Sequence, residues 1–420
     1  PSSPPSKTTE RTESGPADDG ATSSSEPPRD DEESSEHALP SSATEAAAAQ
    51  PARHHAPVGR RSRGDVIIES TYIRGRDRTE VRHGRARLHA MSVILRFDGR
   101  IGPDSPSTRE ELYSTALEMC EWGDRHGALT AVFSEHHGSP DGYLPSPMIL
   151  AAAAAARTTV LPINVGALLA RMYDPVKLAE DMSVLDHLSG GRVSYTIGLG
   201  YRDAEYAMFG VDRTRRGTLM DEHLDVLRRA LDGESFTWRG RPVRVEPAPL
   251  TPGGPAIAYG GGTAAAARRA ARRGLPFIPQ TGDPELAHHY DVAALAAGHA
   301  TGLTIAPPPG CPTAVFVAED VEEAWRELGP HILHDARSYD TWRVEAGLDS
   351  ILDPDRGLID TLRAGGGDHV VVTPEGAAEL LGAHGFLALH PLAGGCPSEL
   401  GWRTLRLIES RVLDPVDESA

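Results

Sequence analysis

The sequence predicts a (β/α)8 TIM barrel, and three observations support this fold class. Apolar runs typical of buried strands alternate with amphipathic helical patterns, and the connections between them are short. About eight such units fit into roughly 330 residues, which is the size of this barrel. Because neighbouring parallel strands require a crossover helix, the alternation predicts a parallel sheet. We expect small insertions in the barrel and a disordered extension before it.

The strands have local signals in the sequence. The first is the apolar run VILRF, and the third is nearly all apolar, as a strand buried on both faces should be. The predicted barrel strands are residues 93–97, 130–134, 160–169, 193–197, 256–259, 276–279, 314–317 and 386–390. Residues 236–255 read as a small hairpin and linker, and residues 335–375 show no regular pattern.

The helices between them are marked by their ends. Thr108 and Glu111 have capping-box spacing, while Ser146-Pro147 and Asp174-Pro175 place a capping side chain before a proline. Further helices are predicted over residues 220–231, 264–273, 284–297, from 321 onward, and over 398–413. Gly233 and Gly274 follow two of them, as expected of helix stops.

The chain divides into three regions of different composition. Residues 1–62 are acidic and rich in Ser and Pro, with few large apolar side chains, so we predict a disordered tail. Residues 63–90 are an Arg-rich extension with one strand-like patch, Val66–Ile73, whose role the pattern leaves open. Residues 91–420 are predicted to form the barrel domain.

The overall composition excludes several classes of partner. A net charge of −18 over 420 residues argues against nucleic acid and anionic membranes, which select basic surfaces. The three cysteines are too widely spaced for a disulfide framework or a metal knuckle, which favours a cytoplasmic location. No apolar run approaches the roughly 20 residues of a membrane span, and the N-terminus lacks a signal-peptide pattern.

Polar residues follow the predicted strands and define a candidate active site, because TIM barrels carry their chemistry at the carboxyl ends of the strands. Glu135, His136 and His137 follow the second strand. A histidine beside a carboxylate transfers protons near neutral pH, so His136 and Glu135 are candidate catalytic residues. Two alternatives stay open: the histidines only hydrogen-bond the loop, or they bind zinc. No HExxH motif or cysteine pair supports zinc, and we predict no metal site.

A glycine-rich turn precedes a predicted helix after the fifth strand. It comprises Gly260, Gly261, Gly262 and Thr263. Glycines let a backbone approach a ligand, free N–H groups at a helix start favour an anion, and Thr263 adds a hydroxyl, so this turn is a candidate phosphate site. The alternative is an ordinary turn without a ligand.

Taken together, these segments resemble the bacterial luciferase-like monooxygenases, which are flavin- or deazaflavin-dependent TIM-barrel oxidoreductases. The resemblance covers about Ser92 to Leu413. It is carried by the segments SEHH, YLPSP, YDPVKLAEDMSVLDHLSGGRV, GLGYRDAEYAMFGVD, YGGGTAAAARRAARRG and HPLAGG.

The resemblance implies roles for individual residues. His136 matches a histidine that lies beside the flavin and assists proton transfer. Gly166 and Ala167 match a strand bulge with a non-prolyl cis peptide that supports the flavin ring, and Leu168, Leu199 and Gly200 line the same mouth. Gly260 to Thr263 match the phosphate-contacting turn. The sequence departs from luciferase in having Leu199 at the position of a phosphate-binding arginine and Gly198 at that of a reactive cysteine. Arg202 is the candidate to replace that arginine.

The implied function is a flavin-dependent monooxygenase that uses reduced FMN and dioxygen to oxygenate a small organic substrate. A separate NAD(P)H-dependent flavin reductase would supply the reduced FMN, and dimerisation is an expectation of the resemblance. Two alternatives stay open: a deazaflavin-dependent oxidoreductase that transfers hydride, and a flavin-binding barrel without turnover. The organic substrate is not predicted, because loops around this fold vary freely.

Overall fold

The structure is a computed structural model. It describes residues 91–345, 347, 349–350, 352, 358–364 and 368–413. The predicted tail, residues 1–62, and the Arg-rich extension, residues 63–90, lie outside the described residues. Within the described part of the chain, no helix combines the length and apolar character needed to cross a membrane.

Nine strands form one sheet in which every neighbouring pair is parallel. The strands of the described chain are β1 (Met91–Phe97), β2 (Ala128–Ser134), β3 (Ile163–Leu169), β4 (Val193–Gly198), β5 (Phe236–Trp238), β6 (Arg241–Val243), β7 (Ile257–Gly261), β8 (Phe277–Pro279), β9 (Ala314–Val317), β10 (His369–Val372) and β11 (Leu387–Leu389). The order in the large sheet is β10-β9-β11-β1-β2-β3-β4-β7-β8, and β5 and β6 pair separately as an antiparallel hairpin.

Helices connect these strands. They are α1 (Arg109–His126), α2 (Pro147–Arg157), α3 (Pro175–Ser189), α4 (Asp203–Met208), α5 (Arg216–Leu231), α6 (Ala264–Arg272), α7 (Pro284–Ala297), α8 (Val321–Glu345), α9 (Leu358–Ala364), α10 (Pro374–His384) and α11 (Ser398–Leu407). A π-helical turn, Ile408–Leu413, follows α11.

This arrangement confirms the predicted TIM-barrel fold. Six barrel strands follow the order of the chain from β1, namely β1 to β4, β7 and β8, and β9 to β11 lie on the other side of β1. The hairpin β5–β6 is the small insertion expected after the fourth barrel strand, and β10 is an added strand beside β9. As in other barrels, the carboxyl ends of the parallel strands therefore face one common edge.

Capping side chains fix where several helices begin. The Thr108 side chain accepts a hydrogen bond from the Glu111 N–H, and both halves of the predicted capping box are present. Asp174 caps α3 by accepting from the N–H groups of Val176 and Lys177. Such caps satisfy backbone donors that have no partner inside the helix, so the helix starts follow from local sequence.

The two faces of the strands differ in polarity. Val165, Tyr195 and Ile197 are fully buried in the hydrophobic core. On β3 and β4, by contrast, the Asn164 amide donates to Ser194 Oγ at 3.0 Å and accepts from Thr196 Oγ1 at 3.2 Å. The barrel therefore has an apolar outer layer and a polar stripe on these two strands.

The predicted bulge in β3 is present, but the predicted cis peptide is not. The register between β3 and β4 shifts between Val165 and Leu168, and Ala167 has a φ of +52°. The cis peptide bond of the described chain is Glu246–Pro247. The expectation of a cis bond between Gly166 and Ala167 was wrong. Instead, the chain turns at Ala167 through a left-handed backbone conformation, which is rare for a residue with a side chain.

The prediction that residues 335–375 are irregular was also wrong. Helix α8 continues to Glu345, and α9, β10 and the start of α10 follow in the described part of this region. Pro330 lies inside α8 and obscured the helical pattern. The half of α8 that follows Pro330 is held by contacts with residues far away in the chain, and no local pattern in the sequence reveals those contacts.

Candidate active site

The predicted site residues lie at the ends of four adjacent strands. Strands β2, β3, β4 and β7 are consecutive neighbours in the sheet. Ser134 of β2 is in register with Gly166 of β3, Leu169 with Gly198 of β4, and Ile197 with Tyr259 of β7. The loops after these strands therefore share one edge of the barrel, as the sequence predicted.

His136 is buried and is held by a carboxylate from another loop. Its Nδ1 lies 2.8 Å from Oε1 of Glu205, in α4. The same oxygen accepts from the His137 backbone N–H at 3.0 Å and lies 3.3 Å from Nη1 of Arg202. Because an ionised carboxylate only accepts, Nδ1 carries the proton and Nε2 is left as the basic atom of a neutral imidazole.

The electrostatics agree with this tautomer. Burial lowers the pKa of His136, and its contact with Glu205 opposes part of that shift. Burial alone would raise the pKa of Glu205, but hydrogen bonds from His136 and the His137 backbone hold that pKa below its usual value. At neutral pH the pair therefore consists of a neutral imidazole and a carboxylate.

Glu135 is not the partner of His136, although it precedes it in sequence. Its carboxylate accepts from the Leu169 N–H at 2.6 Å and from the Tyr173 hydroxyl, and it lies 3.1 Å from His137 Nε2. These contacts hold the end of β3 against the loop after β2. The carboxylate beside His136 is Glu205, and this corrects the interpretation based on sequence adjacency.

Four aromatic side chains surround the His136 ring. The Trp342 and Tyr143 rings lie with their centroids 4.6 and 4.8 Å away, and those of Tyr201 and Tyr339 lie 5.7 and 6.4 Å away. Trp342 and Tyr339 belong to the second half of α8, which the sequence had not assigned to a helix. The wall of the site is therefore built from the loops after β2 and β4 and from α8.

A buried ion network lies behind this wall. Arg100 is 0% exposed, and its Nε lies 3.2 Å from Asp98 Oδ2 and 3.3 Å from Asp335 Oδ1, while Nη1 lies 3.5 Å from Asp141 Oδ2. Each carboxylate also meets one histidine: His390 Nε2 is 3.3 Å from Asp98, His334 Nε2 is 3.0 Å from Asp141, and His369 Nε2 is 3.0 Å from Asp335. The network joins the loop after β1 to α8.

The guanidinium of Arg202 is already engaged. Its Nη1 donates to the His137 carbonyl at 2.8 Å, its Cζ lies 4.2 Å from the Trp342 ring centroid, and the residue is 8% exposed. A cofactor phosphate would have to displace these contacts. The interpretation of Arg202 as a replacement for the missing phosphate-binding arginine is therefore not supported by its position.

Small residues form the rest of the mouth. Gly198 at the end of β4 and Leu199 and Gly200 after it are half-buried, and so are Gly260, Gly261, Gly262 and Thr263 around the end of β7. Ala167 is exposed, whereas the Leu168 side chain is fully buried in the core. Leu168 therefore contributes at most its backbone to the mouth, which corrects its predicted lining role.

The glycine turn packs closely against its surroundings. A Cβ at Gly261 would lie 2.6 Å from the Ala266 Cβ, and one at Gly262 would lie 2.5 Å from Oε1 of Gln280. Thr263 caps α6, with Oγ1 accepting from the Ala266 N–H at 3.1 Å. The turn thus presents the N-terminus of α6 at the mouth, with the Thr263 hydroxyl proton free to donate.

Sequence reasoning missed Glu205, the Arg100 network and the α8 aromatics. Glu205 lies in the GLGYRDAEY segment, three residues after Arg202, and that spacing was the available signal. The described part of the chain contains no group of three or more His, Cys, Asp and Glu residues able to hold a metal ion.

Comparison with known proteins relates this geometry to a family. The model of a protein family described as luciferase-like monooxygenase matches residues 89–357 of this chain. Limonene 1,2-monooxygenase of Rhodococcus erythropolis is 30% identical over 195 residues, which are 42% of this chain and 48% of that protein. The alkanal monooxygenase alpha chain of the Kryptophanaron alfredi symbiont is 27% identical over 177 residues, which are 40% of this chain and 49% of that protein. The aligned regions thus span about half the length of these two relatives.

Solved structures share the fold over most of their length. Monooxygenase RslO1 from Streptomyces bottropensis has a TM-score of 0.62 at 25% identity, covering 76% of this chain and 97% of that one. The oxygenating constituent of 3,6-diketocamphane monooxygenase of Pseudomonas putida, solved with FMN, has a TM-score of 0.57 at 20% identity, covering 77% of this chain and 98% of that one. With a family match over more than half of its length, the chain belongs to the luciferase-like monooxygenases.

Proposed function

We propose that this protein is a flavin-dependent monooxygenase that uses reduced FMN and dioxygen to oxygenate a small organic substrate. One oxygen atom would enter the substrate and the other would leave as water. A separate NAD(P)H-dependent flavin reductase would supply the reduced cofactor. The observation that carries the proposal is His136, which is fixed by Glu205 as a neutral base at the mouth of the barrel.

The residues present fit a flavin. Ala167 exposes left-handed backbone at the β3 bulge, and the nearest heavy atom to a Cβ built on Gly198 would be the Ala167 Cα at 4.0 Å. A flat ring would therefore meet little side-chain bulk over β3 and β4. The phosphate would lie at the N-terminus of α6, where the backbone N–H groups and the Thr263 hydroxyl donate. Neutral N–H and hydroxyl donors would thus take the role of the phosphate-binding arginine whose position is occupied by Leu199.

Reduced FMN, when bound, supplies the electrons for dioxygen activation. The chain itself contributes three things. The backbone of residues 166–168 and 198–200 orients the ring, the aromatic wall around His136 excludes water, and His136 Nε2 accepts or returns one proton during oxygen transfer. Glu205 acts on this step as a positioning residue, because it fixes the imidazole through Nδ1.

Glu205→Gln is expected to lower turnover by at least about tenfold with little change in FMN affinity. The Glu205 carboxylate raises the pKa of His136, so its removal lowers that pKa further. The acid limb of the pH–rate profile should therefore move to lower pH. The measurement is turnover against pH, together with FMN binding by fluorescence quenching.

Glu135→Gln is the matched control, because Glu135 is equally buried but contacts His137 and Tyr173. It should reduce the free energy of unfolding by about 1 to 3 kcal/mol and leave the acid limb in place. If both variants move the acid limb alike, Glu205 has no special relation to His136.

Thr263→Val is expected to weaken FMN binding by about 1 to 2 kcal/mol, because it removes a hydroxyl donor at the proposed phosphate site. It also removes the α6 cap, which costs about 1 kcal/mol of stability. Thr373→Val removes the equivalent cap of α10, where Thr373 accepts from the Gly376 N–H, and it should leave FMN affinity unchanged. Equal FMN affinity in wild type and Thr263→Val would place the phosphate elsewhere.

The deciding experiment mixes the purified full-length chain with reduced FMN or reduced deazaflavin and measures oxygen consumption. Oxygen consumption with reduced FMN that depends on His136 supports the proposal. Binding of deazaflavin alone, with hydride transfer and no oxygen consumption, would identify an oxidoreductase of the other cofactor class. Tight FMN binding without turnover, unaffected by His136→Ala, would identify a non-catalytic flavin-binding barrel.

A further inference from the structure

Trp342 fills the space directly beside His136. Its ring centroid lies 4.6 Å from that of His136, and the residue is 5% exposed. The guanidinium of Arg202 stacks on the same indole at 4.2 Å, and that of Arg100 lies 5.0 Å from it. The indole therefore covers one side of the His136 ring.

The indole is not fixed by a hydrogen bond. In the part of the chain that the structure describes, Trp342 Nε1 donates to no residue, and it is not one of the fully buried atoms that lack a partner. Helix α8 contains Pro330, which has no N–H to donate to the preceding turn, between its first half and the half that carries Trp342. Displacing the indole would therefore break its cation–π contacts with Arg202 and Arg100, but no hydrogen bond.

Two polar atoms of the Arg202–Glu205 pair are buried without hydrogen-bond partners. They are Nε of Arg202, which is a donor, and Oε2 of Glu205, which is an acceptor. Arg202 and Glu205 are in direct contact through their other atoms, at 3.3 Å. Buried polar groups normally have partners, so an unpaired donor and an unpaired acceptor on one ion pair favour a bound molecule, a water or a ligand, that supplies both functions. A hydroxyl group does so.

The charges around the indole disfavour an anion. The carboxylates of Asp98, Asp141, Asp335 and Glu205 outnumber the guanidinium groups of Arg100 and Arg202. Each guanidinium already faces a carboxylate, and so do His334, His369 and His390, so no uncommitted cation remains in this cluster to pair with an added negative charge. Desolvating an unpaired anion there would be costly.

We propose that Trp342 holds the substrate position in the resting enzyme, and that the substrate is an uncharged, flat hydroxyaromatic molecule. Its ring replaces the indole against Arg202 and His136, and its hydroxyl pairs with Arg202 Nε and Glu205 Oε2. This inference rests on the proposed function, because it takes His136 as the reacting centre, but it concerns binding and is tested without flavin.

The test is calorimetric titration of the full chain with three probes of one ring size: 2-naphthol, 2-methoxynaphthalene and 2-naphthoate. We expect saturable binding of 2-naphthol, binding at least about tenfold weaker for 2-methoxynaphthalene because it cannot donate, and binding weaker still for the 2-naphthoate anion. Binding of all three probes with equal affinity, or of none, would overturn the proposal.

Trp342→Ala should bind 2-naphthol about tenfold more tightly than wild type, because the competing indole is gone. The affinity of Trp342→Phe for 2-naphthol should lie between those of wild type and Trp342→Ala. This variant takes the place of Trp342→Ala in the test if the alanine variant does not fold. Trp402→Ala, on the half-buried face of α11, is the control and should bind as wild type does. Unchanged or weaker 2-naphthol binding in both Trp342 variants would contradict the proposal. Failure of oxygen consumption with reduced FMN would instead contradict the proposed function.

Discussion

Replacing His136 with alanine is expected to lower turnover by about 100- to 1,000-fold while FMN affinity changes less than about twofold. The imidazole Nε2 is the basic atom that the neutral tautomer leaves at the mouth, and among the residues that the structure describes no other histidine has its ring inside the aromatic wall. His137, next in sequence, turns toward Glu135 and the Phe209 ring. The measurement is single-turnover oxygen consumption, which separates the chemical step from cofactor binding.

His137→Ala is the matched control for this prediction. It removes an adjacent imidazole of the same burial, and it should reduce stability more than turnover. Equal losses of turnover in both variants would show that His136 acts only through the structure of the loop. Unchanged turnover in His136→Ala would remove its proton-transfer role.

Arg100→Met is expected to lower the free energy of unfolding by about 3 to 5 kcal/mol. The methionine fills similar space, but it leaves Asp98, Asp141 and Asp335 together without their shared cation. Burial alone would lower the pKa of Arg100, yet Asp335 and Asp98 raise it above its ordinary value, which shows how strongly the charges interact. Denaturant unfolding of the full chain measures the effect.

Arg228→Met is the control for charge loss, because Arg228 makes an exposed pair with Asp232 at 3.1 Å within α5. Such pairs contribute about 0.3 to 0.5 kcal/mol. Adding Asp335→Asn to Arg100→Met should recover part of the loss, since it removes one uncompensated charge. A cost for Arg100→Met no larger than that of the control would mean that the network does not stabilise the fold.

Local sequence was sufficient for most of the barrel. Strand β9 and helix α7 have the predicted bounds, 314–317 and 284–297, because a continuous apolar run and a proline after a capping aspartate are complete signals in themselves. The second half of α8 was missed. Its buried polar and aromatic side chains pair with partners far away in the chain, such as Arg100 with Asp335, 235 residues apart, and no local periodicity encodes them.

The candidate site was predicted to the level of its strand ends but not of its pairs. Strand order places His136, Ala167 and Thr263 at one edge, and the barrel fold made that order predictable. The partner of His136 is 69 residues away in sequence, whereas the adjacent Glu135 turns to the end of β3. Which carboxylate meets an imidazole depends on the direction of side chains at a loop, and sequence spacing does not determine that direction.

The position of α8 has a consequence for how the candidate site can change during evolution. The exposed backbone and the glycines of the site come from β3, β4 and β7, whereas the indole beside His136 comes from one continuous helix much later in the chain. Exchange or gradual divergence of that single helix would change the wall beside His136 and leave the strand ends intact. These two parts of the site can therefore vary independently of each other.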